Sequence, residues 1–138
     1  MTTLFIKETH NRYRVAEPHE IMQAADTEIS KHYAPGTKIN HPNDAAGFLK
    51  IKLAMEQSEI FCCLFLTNNH QIISFDKMFH GTIDGASVHP REVVKRSLHY
   101  NAAAVILVHN HPSGTPEPSR ADQILTTRLR EALAQIDV

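Results

Sequence analysis

The sequence predicts an α/β domain of the α+β type, and three observations support that prediction. The chain has 138 residues, which suffice for one domain with its own core but not for two. Hydrophobic residues make up 42% and charged residues 21%, as in ordinary globular proteins. Segments with helical periodicity lie on both sides of a block of short apolar runs that read as strands.

The first part of the chain is predicted to be mainly helical. Short strands are expected at residues 4–7 and 13–16. A helix is predicted over residues 18–33, because a proline stands at its first position and its apolar residues fall on one face. The segment Ala-Pro-Gly at 34–36 ends this helix, and a second helix is expected over residues 42–57.

The second part alternates between strands and helices. Ile60–Leu66 and residues 71–77 are predicted to form a hairpin, since turn residues separate two apolar runs. The continuous apolar run at 103–108 predicts a central strand buried on both faces. Helices are expected over residues 90–100 and 119–135. The last three residues, Ile-Asp-Val, resemble the start of another strand.

Charge, cysteine content and hydropathy narrow the functional classes. Lys and Arg number 14 against 15 Asp and Glu, so charge gives nucleic-acid binding no support. Cys62 and Cys63 are adjacent, point to opposite faces of a strand and are not expected to form a disulfide. No apolar run is long enough to span a membrane, and no signal peptide is recognisable. We therefore expect a cytoplasmic protein with no membrane partner.

One segment has the residue types and spacing of a zinc site. His109 and His111 stand two residues apart at the end of a predicted strand, so both imidazoles project from one face and can reach one ion. Catalytic zinc usually takes three protein ligands and leaves one open position, and Asp122 in the next helix is the third candidate. Alternatively, Ser119 and Asp122 are a helix cap with an acidic residue in the first turn. The two interpretations are compatible.

These residues also identify a family resemblance. His109-x-His111, seven residues, Ser119, two residues and Asp122 is similar to the pattern of the JAMM (MPN+) metalloproteases. The fuller string HNHPSG…PS…D, with VHPREVVK at 88–95 and Gly-Thr at 81–82, resembles the RadC branch. The similarity extends from about residue 59 to the end of the chain, and more loosely from residue 40.

The resemblance implies a fold and a domain organisation. The expected fold is the cytidine-deaminase-like, three-layer JAB/MPN fold, with a central mixed sheet flanked by helices. Residues 41–138 would form this domain and residues 1–40 an N-terminal segment without an assigned role. Family members usually continue with further strands after the last helix, so the domain is expected to be truncated at its C-terminus. The face that those strands cover would then be exposed or paired with a second copy in a homo-oligomer.

The resemblance further implies a general base and a reaction. The family has a glutamate just before a Phe-containing strand, which here favours Glu59 over Glu56. The alternative is that Glu59 merely caps an exposed strand end. In the implied mechanism Zn²⁺ lowers the pKa of a water, Glu59 takes its proton, and zinc with the Ser119 hydroxyl stabilises the oxyanion. Implied substrates are peptides or proteins, often ubiquitin-like, cleaved at peptide or isopeptide bonds.

Other interpretations remain open at this point. The family name records a DNA-repair role, so a repair or recombination protein with a structural or vestigial zinc site is the alternative function. The triplet His-Asn-His at 109–111 is not an HNH nuclease motif, whose residues are spread over a much longer segment. Asn110 points away from the two histidines and is expected to be structural or to support them. For Arg91, at a helix start, a role towards substrate stays undecided.

Overall fold

The structure is a computed structural model that describes residues 2–54, 56–81, 88–111, 114 and 117–138. Residues 82, 112 and 113 of the motifs named above lie outside the described residues. The helices and strands are β1 (Phe5–Lys7), β2 (Tyr13–Val15), α1 (Pro18–His32), α2 (Pro42–Ala54), β3 (Ile60–Leu66), β4 (Ile72–His80), α3 (Pro90–His99), β5 (Ala104–His109) and α4 (Arg120–Ala134). Every predicted helix and strand up to residue 135 is present, with ends that differ by at most three residues.

The main sheet has the strand order β4-β3-β5, and both pairings are antiparallel. All seven residues of β3 are buried, whereas every residue of β5 is only partly buried. The prediction that 103–108 is the central strand buried on both faces is therefore wrong. An apolar run indicates burial but does not reveal how many neighbours a strand has. A parallel pairing, which the expected mixed sheet would require, is absent among the described residues.

Helices cover both faces of this sheet and so form three layers. On one face, Phe61, Cys63 and Phe65 of β3 pack with the buried leucines of α4 and with Val93 of α3. On the other face, Leu64 and other alternate residues of β3 and β4 pack against α2, and Ile29 of α1 packs against the same core. Because side chains alternate along a strand, one apolar segment supplies both cores. The predicted α+β class is confirmed.

The adjacent cysteines follow the same alternation. Cys63 faces the α3–α4 layer and Cys62 faces the α2 layer, and both are free and fully buried. Burial raises the pKa of the Cys62 thiol to about 11 and that of Cys63 to about 12, because the thiolate would lose its hydration. The prediction that they do not form a disulfide with each other is confirmed.

The last three residues do not start a strand, which corrects the prediction made from their apolar pattern. They continue from α4 as turns, and the Val138 N–H donates to the Leu133 carbonyl at 3.1 Å. Asp137 has a φ of 60°, in the left-handed region. Ile136 and Val138 pack against the α3–α4 core, so their apolar character reflects packing at a helix end.

The N-terminal segment is a β1–β2 hairpin followed by α1. The Arg14 guanidinium binds the Glu20 carboxylate through two nitrogens at 2.6 and 2.7 Å and the Glu8 carboxylate at 2.9 Å. These hydrogen bonds from Arg14 lower the pKa of Glu20 to about 2. None of the helices among the described residues combines the length and the apolar character of a membrane span.

Candidate metal centre

Two elements position the three predicted ligands. His109 is the last residue of β5, and His111 follows two positions later. Asp122 is the third residue of α4, the helix that packs on the sheet face to which Phe61 points. Since Phe61 is the cross-strand partner of His109, both histidines project towards the start of α4. The end of β5 and the beginning of α4 thus lie next to each other.

The structure brings the three predicted ligand atoms together. Nε2 of His109 lies 3.0 Å from Nε2 of His111. Oδ2 of Asp122 lies 3.3 Å from the first of these nitrogens and 3.4 Å from the second. A tetrahedral zinc ion with bonds of about 2.0–2.1 Å holds its ligand atoms about 3.3 Å apart. The observed triangle is therefore close to the size that one zinc ion requires.

The burial of the Asp122 carboxylate, and the lack of a hydrogen-bond partner among the described residues for one of its oxygens, also fit a bound metal. The Asp122 side chain is only 2% exposed, and its Oδ1 has no hydrogen-bond partner among the described residues. A buried polar atom without a partner is costly, and a bound ion or water would supply the partner. Two imidazole nitrogens and one carboxylate are also the donor set of many catalytic zinc sites. The residues present thus fit Zn²⁺.

The candidate ligand Asp122 is also part of the capping box that begins α4, in which Ser119 is the N-cap. Oδ2 of Asp122 accepts the Ser119 N–H at 2.7 Å, and the Asp122 N–H donates to the Ser119 hydroxyl oxygen at 3.1 Å. This reciprocal capping box holds the carboxylate at the helix start with Oδ2 facing both imidazoles. The Ser119 hydroxyl acts as an acceptor in the cap, so its proton remains free to be donated.

Opposing influences act on the ionisation of Asp122. Burial is the largest and disfavours the carboxylate, but the two hydrogen bonds with Ser119 and the charges of His109 and His111 together outweigh it. The pKa of Asp122 is consequently held below its ordinary value. The carboxylate is the form that a metal ligand needs.

Of the two glutamates considered as a base, the structure brings Glu59 to the histidines. Oε1 of Glu59 lies 3.5 Å from Nδ1 of His111, the nitrogen that faces away from the ligand cluster. Its side chain is 19% exposed, which does not suit a carboxylate that merely caps an exposed strand end. Glu56 instead pairs with Lys77. Glu59 lies outside the described cluster of His109, His111 and Asp122 and next to one of its members.

Asn110 links the two sides of the site, a role that the sequence suggested only in outline. Its side-chain Oδ1 accepts the Ile60 N–H at 2.7 Å, and its Nδ2 donates to the Ser58 carbonyl at 3.1 Å. The only signal in the sequence was its place between two candidate ligands. Arg91, by contrast, is 82% exposed at the start of α3, and its guanidinium lies 3.8 Å from Glu92.

Sequence reasoning also missed a large apolar groove beside the histidines. The groove runs between α2 and β5 and has a volume of about 1160 Å³. Leu49 and Leu53 line it from the helix, Ile106 and Val108 from the strand, and the two histidines at one end. Its apolar residues belong to segments that local periodicity assigns to the core, so no local signal indicates an open space there.

Comparisons with known proteins agree with the motif. The profile of the RadC-like JAB domain matches residues 39–138. A UPF0758 protein of Thioalkalivibrio sulfidiphilus is 49% identical over 125 residues, which are 91% of this chain and 56% of that protein. A UPF0758 protein of Nitrosococcus oceani is 55% identical over 103 residues, 75% of this chain and 46% of that protein.

This chain matches a larger part of a third relative. A UPF0758 protein of Vibrio cholerae is 46% identical over 123 residues, 89% of this chain and 78% of that protein. The chain spans about half the length of most of the curated relatives it matches. The names of these relatives specify no reaction. The family profile matches most of this chain, and the three candidate ligand atoms lie close to one another. This chain belongs to the RadC-like JAB domain family.

Proposed function

We propose that the chain is the zinc-dependent hydrolase domain of a RadC-like protein and that it cleaves peptide or isopeptide bonds. The observation that supports this most directly is the ligand triangle of His109, His111 and Asp122, with separations of 3.0 to 3.4 Å. Structural zinc sites usually have four protein ligands, whereas three protein ligands leave a position for a reactant. Within the described residues, the cluster contains three ligands and not four.

The residues around this triangle have the functional groups that amide hydrolysis requires. When bound, zinc would polarise the substrate carbonyl and lower the pKa of a water molecule. Glu59, beside His111, would accept the proton of the attacking water as its oxygen adds to the carbonyl carbon. The Ser119 hydroxyl would donate to the resulting oxyanion. Glu59 would then pass the proton to the departing amine as the carbon–nitrogen bond breaks.

The substrate class is also part of the proposal. A peptide or protein supplies an amide carbonyl, and ubiquitin-like proteins with isopeptide links are candidates through the family resemblance. The apolar groove lies on the α2 face of the sheet and reaches the two histidines at one end, where it would offer space for side chains that flank the scissile bond. The protein is further proposed to act in the cytoplasm, where two buried free cysteines remain reduced.

Metal analysis followed by a hydrolysis assay tests the proposal. Protein purified without chelators should contain about one zinc per chain. His109→Ala and His111→Ala should lose the metal, whereas His19→Ala, which removes an exposed histidine of α1, should keep it. The zinc-loaded wild type should hydrolyse a quenched-fluorescence peptide mixture or a Lys-ε-linked isopeptide probe, and Glu59→Gln should abolish this activity while zinc remains bound.

Two results would count against the proposal. Folded wild-type protein that takes up no zinc would remove its basis. One zinc per chain without hydrolysis of either probe would favour the alternative, a repair-associated protein whose zinc is structural.

A further inference from the structure

We propose that Asn110 is a positioning residue for Glu59, because its side-chain amide holds the backbone on both sides of that glutamate. The inference rests on the proposed function in one respect: it takes Glu59 as the group that moves the proton. It adds a residue that lies between the two histidine ligands and that neither the motif nor the metal assigns to the reaction.

The hydrogen bonds of Asn110 reach across 50 residues of sequence to the neighbours of Glu59. The amide oxygen accepts the Ile60 N–H at 2.7 Å. The amide nitrogen donates to the Ser58 carbonyl at 3.1 Å. Both hydrogen-bonding capacities of one side chain are therefore directed at the residues immediately before and after Glu59.

The position of these bonds in the sheet explains why a side chain is needed. The pairing of β3 with β5 ends at Phe61 and His109, so Ile60 and Asn110 lie one residue beyond the last pair. Ile60 is completely buried, and its N–H would be costly to leave without an acceptor. The Asn110 amide supplies that acceptor and a donor for Ser58, and in this way extends the attachment of the two strands past the end of their ladder.

Glu59 is also held from the other side. The Gly81 N–H donates to the Glu59 carbonyl at 2.9 Å, from just beyond the end of β4. Side chains alternate along the extended chain, so Glu59 projects to the same face as Phe61, on which the histidines lie. Its contact with His111 at 3.5 Å follows from this arrangement.

This arrangement couples the base to the ligands mechanically. Asn110 is covalently linked to His109 and His111 and is hydrogen-bonded to the residues that flank Glu59. A shift of the Glu59 carboxylate by about 1 Å would be expected to lower the rate about 100-fold, since proton transfer depends steeply on geometry. Zinc binding should change little, because the three ligand side chains remain.

The test compares Asn110→Ala with Thr67→Ala, both as zinc-loaded protein. Thr67 is a matched control at the opposite end of β3, where its hydroxyl accepts two backbone N–H groups, those of Asn69 and Gln71. Asn110→Ala should keep about one zinc per chain and lower kcat on the peptide or isopeptide probe about 100-fold with KM nearly unchanged. Thr67→Ala should change kcat less than about threefold.

A second measurement requires no substrate. Amide hydrogen exchange at Ile60 should accelerate about tenfold or more in Asn110→Ala and stay unchanged in Thr67→Ala. In the Co²⁺-substituted protein, the visible spectrum of Asn110→Ala should move towards that of Glu59→Gln, because both variants disturb the carboxylate next to His111.

The outcomes separate this inference from the proposed function. A wild type that binds zinc but hydrolyses neither probe refutes the proposed function, and the exchange rates and cobalt spectra still decide whether Asn110 positions Glu59. If the wild type binds no metal, the exchange rate at Ile60 alone decides it. Unchanged Ile60 exchange and an unchanged cobalt spectrum in Asn110→Ala overturn the positioning role. An active wild type whose kcat falls no further in Asn110→Ala than in Thr67→Ala overturns it as well.

Discussion

The two helices on the metal-site face of the sheet begin in similar ways and in different surroundings. Both have an acidic residue at the third helical position, Glu92 in α3 and Asp122 in α4. The residue before α3, His89, makes no side-chain cap, and the Glu92 side chain is 39% exposed beside Lys95. In α4 the corresponding carboxylate is 2% exposed, accepts the Ser119 N–H and faces two imidazoles.

The difference shows what distinguishes the candidate metal site at the start of α4 from an ordinary helix start. An acidic residue in the first turn is favoured by the helix dipole wherever it occurs, and α3 needs no other explanation. At α4 the same local preference is combined with burial and with an oxygen atom that has no hydrogen-bond partner among the described residues. The capping interaction orients Oδ2 of Asp122, and the end of β5 supplies the nitrogens that face it.

The largest expected difference between the two helix starts is in zinc binding. Asp122→Ala removes one of three ligands and should weaken zinc binding by more than about 100-fold. Glu92→Ala, the matched change in α3, should leave zinc affinity within about twofold of the wild type. Competition with a chromophoric chelator measures both variants. Equal zinc affinities for the two would remove the contrast between the helix starts.

A smaller difference is expected in the stability of the zinc-free protein. Ser119→Ala removes the side-chain acceptor for the Asp122 N–H and should lower the free energy of unfolding by about 1 kcal/mol. His89→Ala removes an exposed side chain that makes no cap hydrogen bond and should cost less than about 0.5 kcal/mol. Urea denaturation with chelator present measures both values. A larger cost for His89→Ala would show that α3 has a cap of another kind.

The smallest expected effect concerns the free energy of unfolding of the zinc-free protein at acid pH. The pKa of Asp122 is lowered in the folded protein, so the unfolded state binds its proton first as the pH falls. The stability contributed by this carboxylate is present above the unfolded pKa of about 4 and is lost as the pH falls through the folded value. Asp122→Asn should therefore make the free energy of unfolding fall less steeply below about pH 4. Parallel curves for wild type and variant, from urea denaturation at several pH values, would contradict this expectation.

Local patterns were sufficient to predict the elements of the fold. The helices and strands were placed within a few residues because periodicity and helix-start residues act over one or two turns. The two errors that arise from local patterns concern neighbours. The run at 103–108 was expected to be the central strand and lies at the edge of the described sheet, and the apolar residues at 136–138 belong to a helix end. Apolar character alone does not specify which surface a residue packs against.

The sequence by itself determined the ligand types and their local geometry. The spacing of His109 and His111 directs both to one side of a strand, and Ser119 and Asp122 form a cap within a single turn. Only the tertiary structure decided that this turn lies over the end of β5, that Glu59 rather than Glu56 is next to His111, and that Asn110 is hydrogen-bonded to Ser58 and Ile60. These contacts join residues about fifty positions apart and depend on the register of β3 against β5, which packing on both sheet faces determines.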